Sequence, residues 1–163
     1  MAGWIAVKVI GFDQASKITG YSIFEDGKLI RYGIIKVTTG DANERLYKML
    51  RSIVVLIGDE KPDVVCIEGT HFQNNQNGFK ILAQLQGMIM GALALVGIPL
   101  VEYPPALWRS KAGIKEGRGV KREELKQLAV DYAKEHFDVE CSNDEAEAIV
   151  ISYVGYKDAI AKG

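Results

Sequence analysis

Cysteine is scarce in this chain, which holds only Cys66 and Cys141. Two thiols without metal-type spacing exclude a disulfide framework and a cysteine-rich zinc site, and they read as reduced, mostly buried side chains with no chemical role. Long hydrophobic runs are also missing. The longest apolar-leaning stretch, Met88–Val101, has 14 residues and carries Gly91, Gly97 and Pro99, so it reads as too short and too interrupted to span a bilayer. The opening Met1-Ala2-Gly3-Trp4 runs straight into a strand pattern and shows no charged, apolar and cleavage regions of a secretory signal. A cytoplasmic location away from membranes is therefore expected. Internal repeats and linkers are absent as well, which leaves one domain over residues 1–163, long enough to bury a core without disulfides or structural metal. With 48% hydrophobic and 25% charged residues, the composition excludes disordered and membrane-embedded classes and fits an ordinary globular protein.

A strong excess of either charge is the last thing missing. The formal net charge is −1, which by itself speaks against a protein that holds nucleic acid through bulk positive charge. The distribution is uneven, however. From Arg109 to Lys126 seven basic residues, among them Arg109, Arg118, Lys121 and Arg122, stand against Glu116, Glu123 and Glu124, so the segment is +4 and the remainder −5. Such a segment is either a solvated loop and helix face or one basic surface.

The pattern of apolar residues supplies the elements. Trp4–Phe12 is rich in β-branched and aromatic residues and reads as a strand ending near Asp13. Gly20–Phe24 and Leu29–Val37 flank Glu25-Asp26-Gly27-Lys28, whose Asp-Gly pair suits a tight hairpin turn. Asp41 or Asn43 can cap a helix with Leu46, Met49, Leu50, Ile53, Val54 and Ile57 at three- and four-residue steps, ending near Gly58. Asp63–Gly69 is a short, nearly continuous apolar run, as expected of a strand buried on both faces, and its last polar residue is Glu68. An amide-rich loop over residues 71–79, a helix over Phe79–Val96 and a strand over Ile98–Tyr103 follow, closed by Pro104 and Pro105. The glycine-containing stretch beyond reads as a mobile loop, and Lys121–Phe137 as a helix with Leu125, Leu128, Ala129, Tyr132 and Ala133 on one side. Ser142 and Glu145 form a capping-box pattern that starts a last helix near Asn143. Three strands, helix, strand, helix, strand, helix, helix predict an α/β domain with a mixed sheet of about five strands and helices on its faces.

Four acids stand out in that frame. Asp13 and Glu68 each close a strand, so neighbouring strands bring both to one rim of the sheet. Asp144 and Glu147 are three apart in the first turns of the last helix and share a face there. Each has an ordinary reading: Asp13 as a loop residue bonding its own backbone, Glu68 as a paired buried acid, Asp144 and Glu147 as favourable partners of the helix dipole. None of these explains their convergence. Four carboxylates within a few ångströms repel one another unless cations neutralise them, which makes such a cluster a site for hard divalent ions, magnesium above all.

Gly11-Phe12-Asp13, Thr19-Gly20-Tyr21, Cys66-Ile67-Glu68, Ala83-Gln84-Leu85-Gln86-Gly87, Glu102-Tyr103 and Asn143-Asp144-Glu145-Ala146-Glu147-Ala148, in this order and spacing, resemble the RuvC-type Holliday-junction resolvases over nearly the whole chain. The sequence departs from that family at Gln14-Ala15, where Asp-Pro-Gly is common, and at Glu147, where the fourth acid is commonly Asp. The resemblance implies a ribonuclease H-like fold, three antiparallel strands followed by two parallel ones, and a magnesium-dependent endonuclease that resolves four-way junctions in recombination and repair. It implies two ions about 3.5–4 Å apart, manganese substituting, with Asp13 bridging them, Glu68 on one and Asp144 with Glu147 on the other. Arg109 and Lys121 fall where that family has functional lysines, and Arg118 and Arg122 are adjacent candidates for DNA phosphates. Phe72, with His71 beside it, falls near the position of an aromatic residue that stacks on unpaired bases; loop packing is the plain alternative for Phe72. Two symmetrical cuts in a junction call for a homodimer, to which Gly87, Met88, Met90 and Gly91 contribute if they do not pack on the sheet instead.

Three other readings compete. A related nuclease acting on forks and flaps would share every metal ligand. A sugar-kinase or actin-like ATPase also opens with a strand, an Asp and a hairpin, but needs two such domains. A branched-DNA-binding module without catalysis would keep four acids at a surface that meets phosphates, where they repel unless metal is bound.

Overall fold

The computed structural model describes residues 6–70 and 75–162. The strands are β1 (Lys8–Asp13), β2 (Ile18–Glu25), β3 (Lys28–Lys36), β4 (Val64–Glu68) and β5 (Leu100–Tyr103); the helices are α1 (Ala42–Glu60), α2 (Gln76–Val96), α3 (Pro105–Ala112), α4 (Arg122–Phe137) and α5 (Asn143–Lys162). One sheet has the order β3-β2-β1-β4-β5. β1, β2 and β3 are antiparallel neighbours, while β4 runs parallel to β1 and β5 parallel to β4. This is the predicted mixed five-stranded sheet.

Local chemistry sets the element ends. Asp26 and Gly27 both take positive φ, 53° and 81°, the primed turn whose twist matches the flanking strands. Asp41 caps α1 by accepting from the Glu44 amide at 2.9 Å, and Asn75 does the same for α2 through Gly78. The capping box of α5 forms in both directions, Ser142 N–H to Glu145 Oε1 at 3.0 Å and Glu145 N–H to Ser142 Oγ at 3.3 Å.

Two sequence readings are corrected. The segment after β5 does not become a loop at once: Pro105 occupies the first turn of α3, where its missing N–H would have no helical partner and its fixed φ is already helical. The second correction concerns α2, which starts at Gln76 and so takes up the end of the stretch read as a loop over residues 71–79. Gly87 and Gly91 continue the helix, which at 21 residues, with an 18-residue window of mean hydropathy 1.6, is long and apolar enough to cross a membrane by length and composition. Its Leu85, Ile89 and Leu93 form a buried stripe against the sheet, while Met90, Leu95 and Val96 are exposed. In α1, Val54 likewise lies outward and Leu56 takes a core place.

The sheet separates two cores. Ile10, Phe12, Ile23, Val65 and Ile67 pack under α1 and α2. Val9, Phe24, Cys66 and Tyr103 point the other way, into α3, α4 and α5. Central to that second layer is α5, buried from Ala146 through Ser152 with few interruptions of polarity, as a helix enclosed on all sides must be. Gly11 and Gly20 let it come so close. A Cβ on Gly20 would stand 2.0 Å from the Asp144 carbonyl oxygen, and one on Gly11 2.6 Å from Ser152 Cβ. Ser22 donates to the Ala148 carbonyl at 2.8 Å and meets the Ser152 hydroxyl. The first turns of α5 are thereby seated directly on β1 and β2.

Candidate active site

Strand alternation brings the acids together. Side chains along a strand point to opposite faces by turns, so in β1 Gly11 and Asp13 share the α5 face while Ile10 and Phe12 enter the other core. In β4, Cys66 and Glu68 share that same α5 face. Gly11 pairs with Cys66 and Phe12 with Ile67, which puts Asp13 and Glu68 side by side at the carboxyl ends of adjacent parallel strands. From above, α5 adds Glu147. Oxygens of Asp13, Glu68 and Glu147 all lie within 4.8 Å of one another.

Electrostatics follow from that crowding. Burial, then the charges of Glu147, Glu68 and Asp144, push the Asp13 carboxyl well above the ordinary carboxylate range. Glu147 is pushed up as well, by burial and by Glu68, while its hydrogen bond with Asp13 and the charges of Arg109 and Lys126 act in the opposite direction. Asp144 acts on Asp13 through its charge but does not join the tight set of three. An all-oxygen cluster whose members hold one another's protons is relieved by a hard divalent cation, and its donors suit magnesium, manganese or calcium better than soft metals. The residues present therefore fit a metal ion.

Glu68 is held from two sides. Gln14 Nε2 donates to the Glu68 carbonyl at 2.6 Å and the Glu68 N–H donates to Gln14 Oε1 at 3.2 Å, so a side-chain amide extends the β1–β4 ladder by one step. Trp108 on α3 donates from Nε1 to Glu68 Oε2 at 3.0 Å. Beyond β4, Gln86 of α2 accepts from the Thr70 N–H at 3.1 Å and its hydroxyl at 2.7 Å, tying the exit of the strand to the helix. Arg109 sits with its guanidinium 4.7 Å above the Trp108 ring and its Nη1 2.8 Å from Glu116. It thus stands between the basic loop and the acids, largely covered, whereas Arg118, Lys121 and Arg122 are exposed. His71 and Phe72 lie outside the described residues. Sequence reasoning missed Gln14, Trp108 and Lys126 as parts of this site. The one available signal was Trp108 itself, a large aromatic inside a segment taken for a mobile loop.

A mixed sheet of this order, with acids delivered by the first strand, the fourth strand and the last helix, defines the ribonuclease H-like class. The family model for crossover junction endodeoxyribonuclease RuvC matches residues 9–131, and the chain belongs to that family. It is 30% identical over 129 residues to the crossover junction endodeoxyribonuclease RuvC of Geotalea uraniireducens, covering 76% of this chain and 75% of that one. It is 36% identical over 105 residues to that of Syntrophomonas wolfei, covering 61% and 60% respectively. T. thermophilus RuvC in complex with a Holliday junction substrate has the same fold, with a TM-score of 0.75 at 15% identity over 95% of this chain and 96% of that one. The family match ends within α4, so the placement of Asp144 and Glu147 beside Asp13 rests on the geometry of α5 rather than on the matched residues.

Proposed function

We propose that this chain is a magnesium-dependent endonuclease that resolves four-way DNA junctions by paired phosphodiester hydrolysis. The observation that carries the reading is the convergence of Asp13, Glu68 and Glu147, from three separate elements, to within 4.8 Å. Asp13, at the centre of the set, would touch both ions; Glu68 would hold one, and Asp144 with Glu147 the other. When bound, divalent ions held by these residues would supply activation of water for in-line attack and stabilisation of the charge on the leaving 3′ oxygen. The chain's own part is to place and orient. Gln14 and Trp108 fix Glu68, and the seat of α5 on Gly20 fixes the helix that bears Asp144 and Glu147. Arg118, Lys121 and Arg122 form an exposed cationic approach for phosphates, and Arg109 brings positive charge closest to the acids.

Two symmetrical cuts require two copies of the site, and we assign the partner surface to the outward face of α2. Gly87, Met90, Gly91 and Leu95 recur there at helical spacing and are exposed, Leu95 to 89%. Small residues on that line let two helices approach closely. The apolarity of this helix is thus ascribed to a protein partner rather than to lipid.

A cleavage panel of four-way junction, fork, flap and linear duplex in magnesium tests the proposal. Asp13→Asn and Glu68→Gln are expected to bind the junction without cutting it. Lys121→Ala is expected to weaken binding and to reduce the slope of log affinity against log salt by about 0.9, the share of one phosphate contact. Full cleavage by Asp13→Asn removes the metal-centre reading; equal cutting of fork, flap and junction widens the substrate class to branched DNA in general.

A further inference from the structure

Trp108 is among the largest side chains with no solvent exposure, yet its one polar atom is not lost in the apolar layer. It ends on Glu68 Oε2 at 3.0 Å. An indole N–H can only donate, so Glu68 Oε2 is the acceptor, and a hydrogen bond in desolvated surroundings is stronger than its counterpart in water. The donor itself is rigidly held. The indole packs in the layer formed by Tyr103, Ala129 and α5, and Arg109 lies over its ring while paired with Glu116. The Glu68 backbone is fixed separately by Gln14. What Trp108 adds is control of the Glu68 side-chain torsions, which decide where the carboxylate points.

We propose that Trp108 is a positioning residue for the metal centre: its N–H holds Glu68 Oε2 so that the carboxylate is aimed at Asp13 and Glu147, and the affinity for divalent ions depends on that bond. The proposal rests on the metal-centre reading above. Partners of this kind, which orient a ligand without touching the ion, change metal affinity by roughly 10–100-fold when removed. Trp108→Phe keeps a smaller aromatic ring and deletes the donor.

The test is calorimetric titration of the DNA-free protein with manganese, alongside thermal melts. Wild type is expected to bind manganese, and Trp108→Phe to bind it at least about 10-fold more weakly. In a Glu68→Ala background, which has neither the metal-facing carboxylate nor an acceptor for the indole N–H, the same change should weaken binding no further. A merely packing role for Trp108 would lower the melting temperature and act equally in both backgrounds. Equal affinity in Trp108→Phe and wild type overturns the positioning role and leaves the metal centre standing; no manganese binding by wild type overturns the metal centre itself. Should Trp108→Phe fail to fold, Trp4→Phe leaves Trp108 as the sole tryptophan. Its emission is then expected to shift on manganese addition with the calorimetric affinity and to lose that shift with Glu68→Gln, and an unchanged emission overturns the proposal.

Discussion

Asp13 is where the opposing forces of the molecule meet. It is desolvated and faces three other carboxylates, so its proton is bound more tightly in the folded chain than in the unfolded one. Below the ordinary carboxylate range both states carry that proton and nothing is lost. As pH rises through the native value, the folded state must ionise a group that its surroundings resist, and stability falls. Glu147 shifts in the same direction and adds to the effect. A bound divalent ion reverses the balance by making the charged forms the favoured ones. Asp13→Asn, neutral at every pH, is therefore expected to melt above wild type at pH 7 in chelator, by about 2–4 °C for each 1 kcal/mol regained, and to gain less from added magnesium. Equal melting temperatures in chelator at pH 7 would sink this account. The prominence of Asp13 and Glu68 was legible in the sequence because each is a lone acid closing an apolar run. Trp108 and Gln14 were not, since the meaning of an indole N–H or a side-chain amide lies in the partner it reaches, and those partners are distant in the chain.

At the scale of elements, α5 is the part whose placement decides the site. Its register is set by contacts that a sequence pattern does not announce: the Asp144 carbonyl against Gly20, Ala148 and Ser152 against Gly11 and Ser22. Gly20→Ala would force the Asp144 backbone away by an ångström or more. Overpacking of this kind costs roughly 1–3 kcal/mol, and a displacement of about 1 Å at reacting groups costs on the order of 100-fold in rate. The expected result is a folded protein with a modestly lowered melting temperature and cleavage reduced by at least about 10-fold; wild-type cleavage would show that α5 tolerates the shift. The helix α3 escaped the sequence reading for a related reason. It is eight residues long with one buried side chain, Trp108, too short for a periodic signal, and Pro104 before it and Pro105 at its start mark a strand's end and a helix's start equally well.

At the scale of the whole molecule, the basic segment and the exposed apolar face of α2 lie in different layers. An excess of positive charge lies in one segment, Arg109–Lys126, while the exposed apolar face proposed as the partner surface is on α2, in the opposite layer of the sheet. Leu95→Glu is expected to convert a dimer to a monomer in sedimentation and to let singly nicked junctions accumulate, because the second cut then waits for a separate encounter. A monomeric wild type, or an unchanged dimer in Leu95→Glu, would remove α2 as the interface.

The sequence by itself determined the order of the elements other than α3, the caps of α1 and α5, the hairpin turn, the strand-terminal positions of Asp13 and Glu68 and the helical spacing of Asp144 and Glu147, because these depend on neighbours a few residues apart. Only the tertiary structure decided that three of the four acids close to within 4.8 Å while Asp144 stays out of that set, that α3 brings Trp108 to Glu68, and that one face of α2 is exposed. Those outcomes depend on how closely a helix can approach a sheet and on which distant donor reaches which acceptor, and local pattern carries neither.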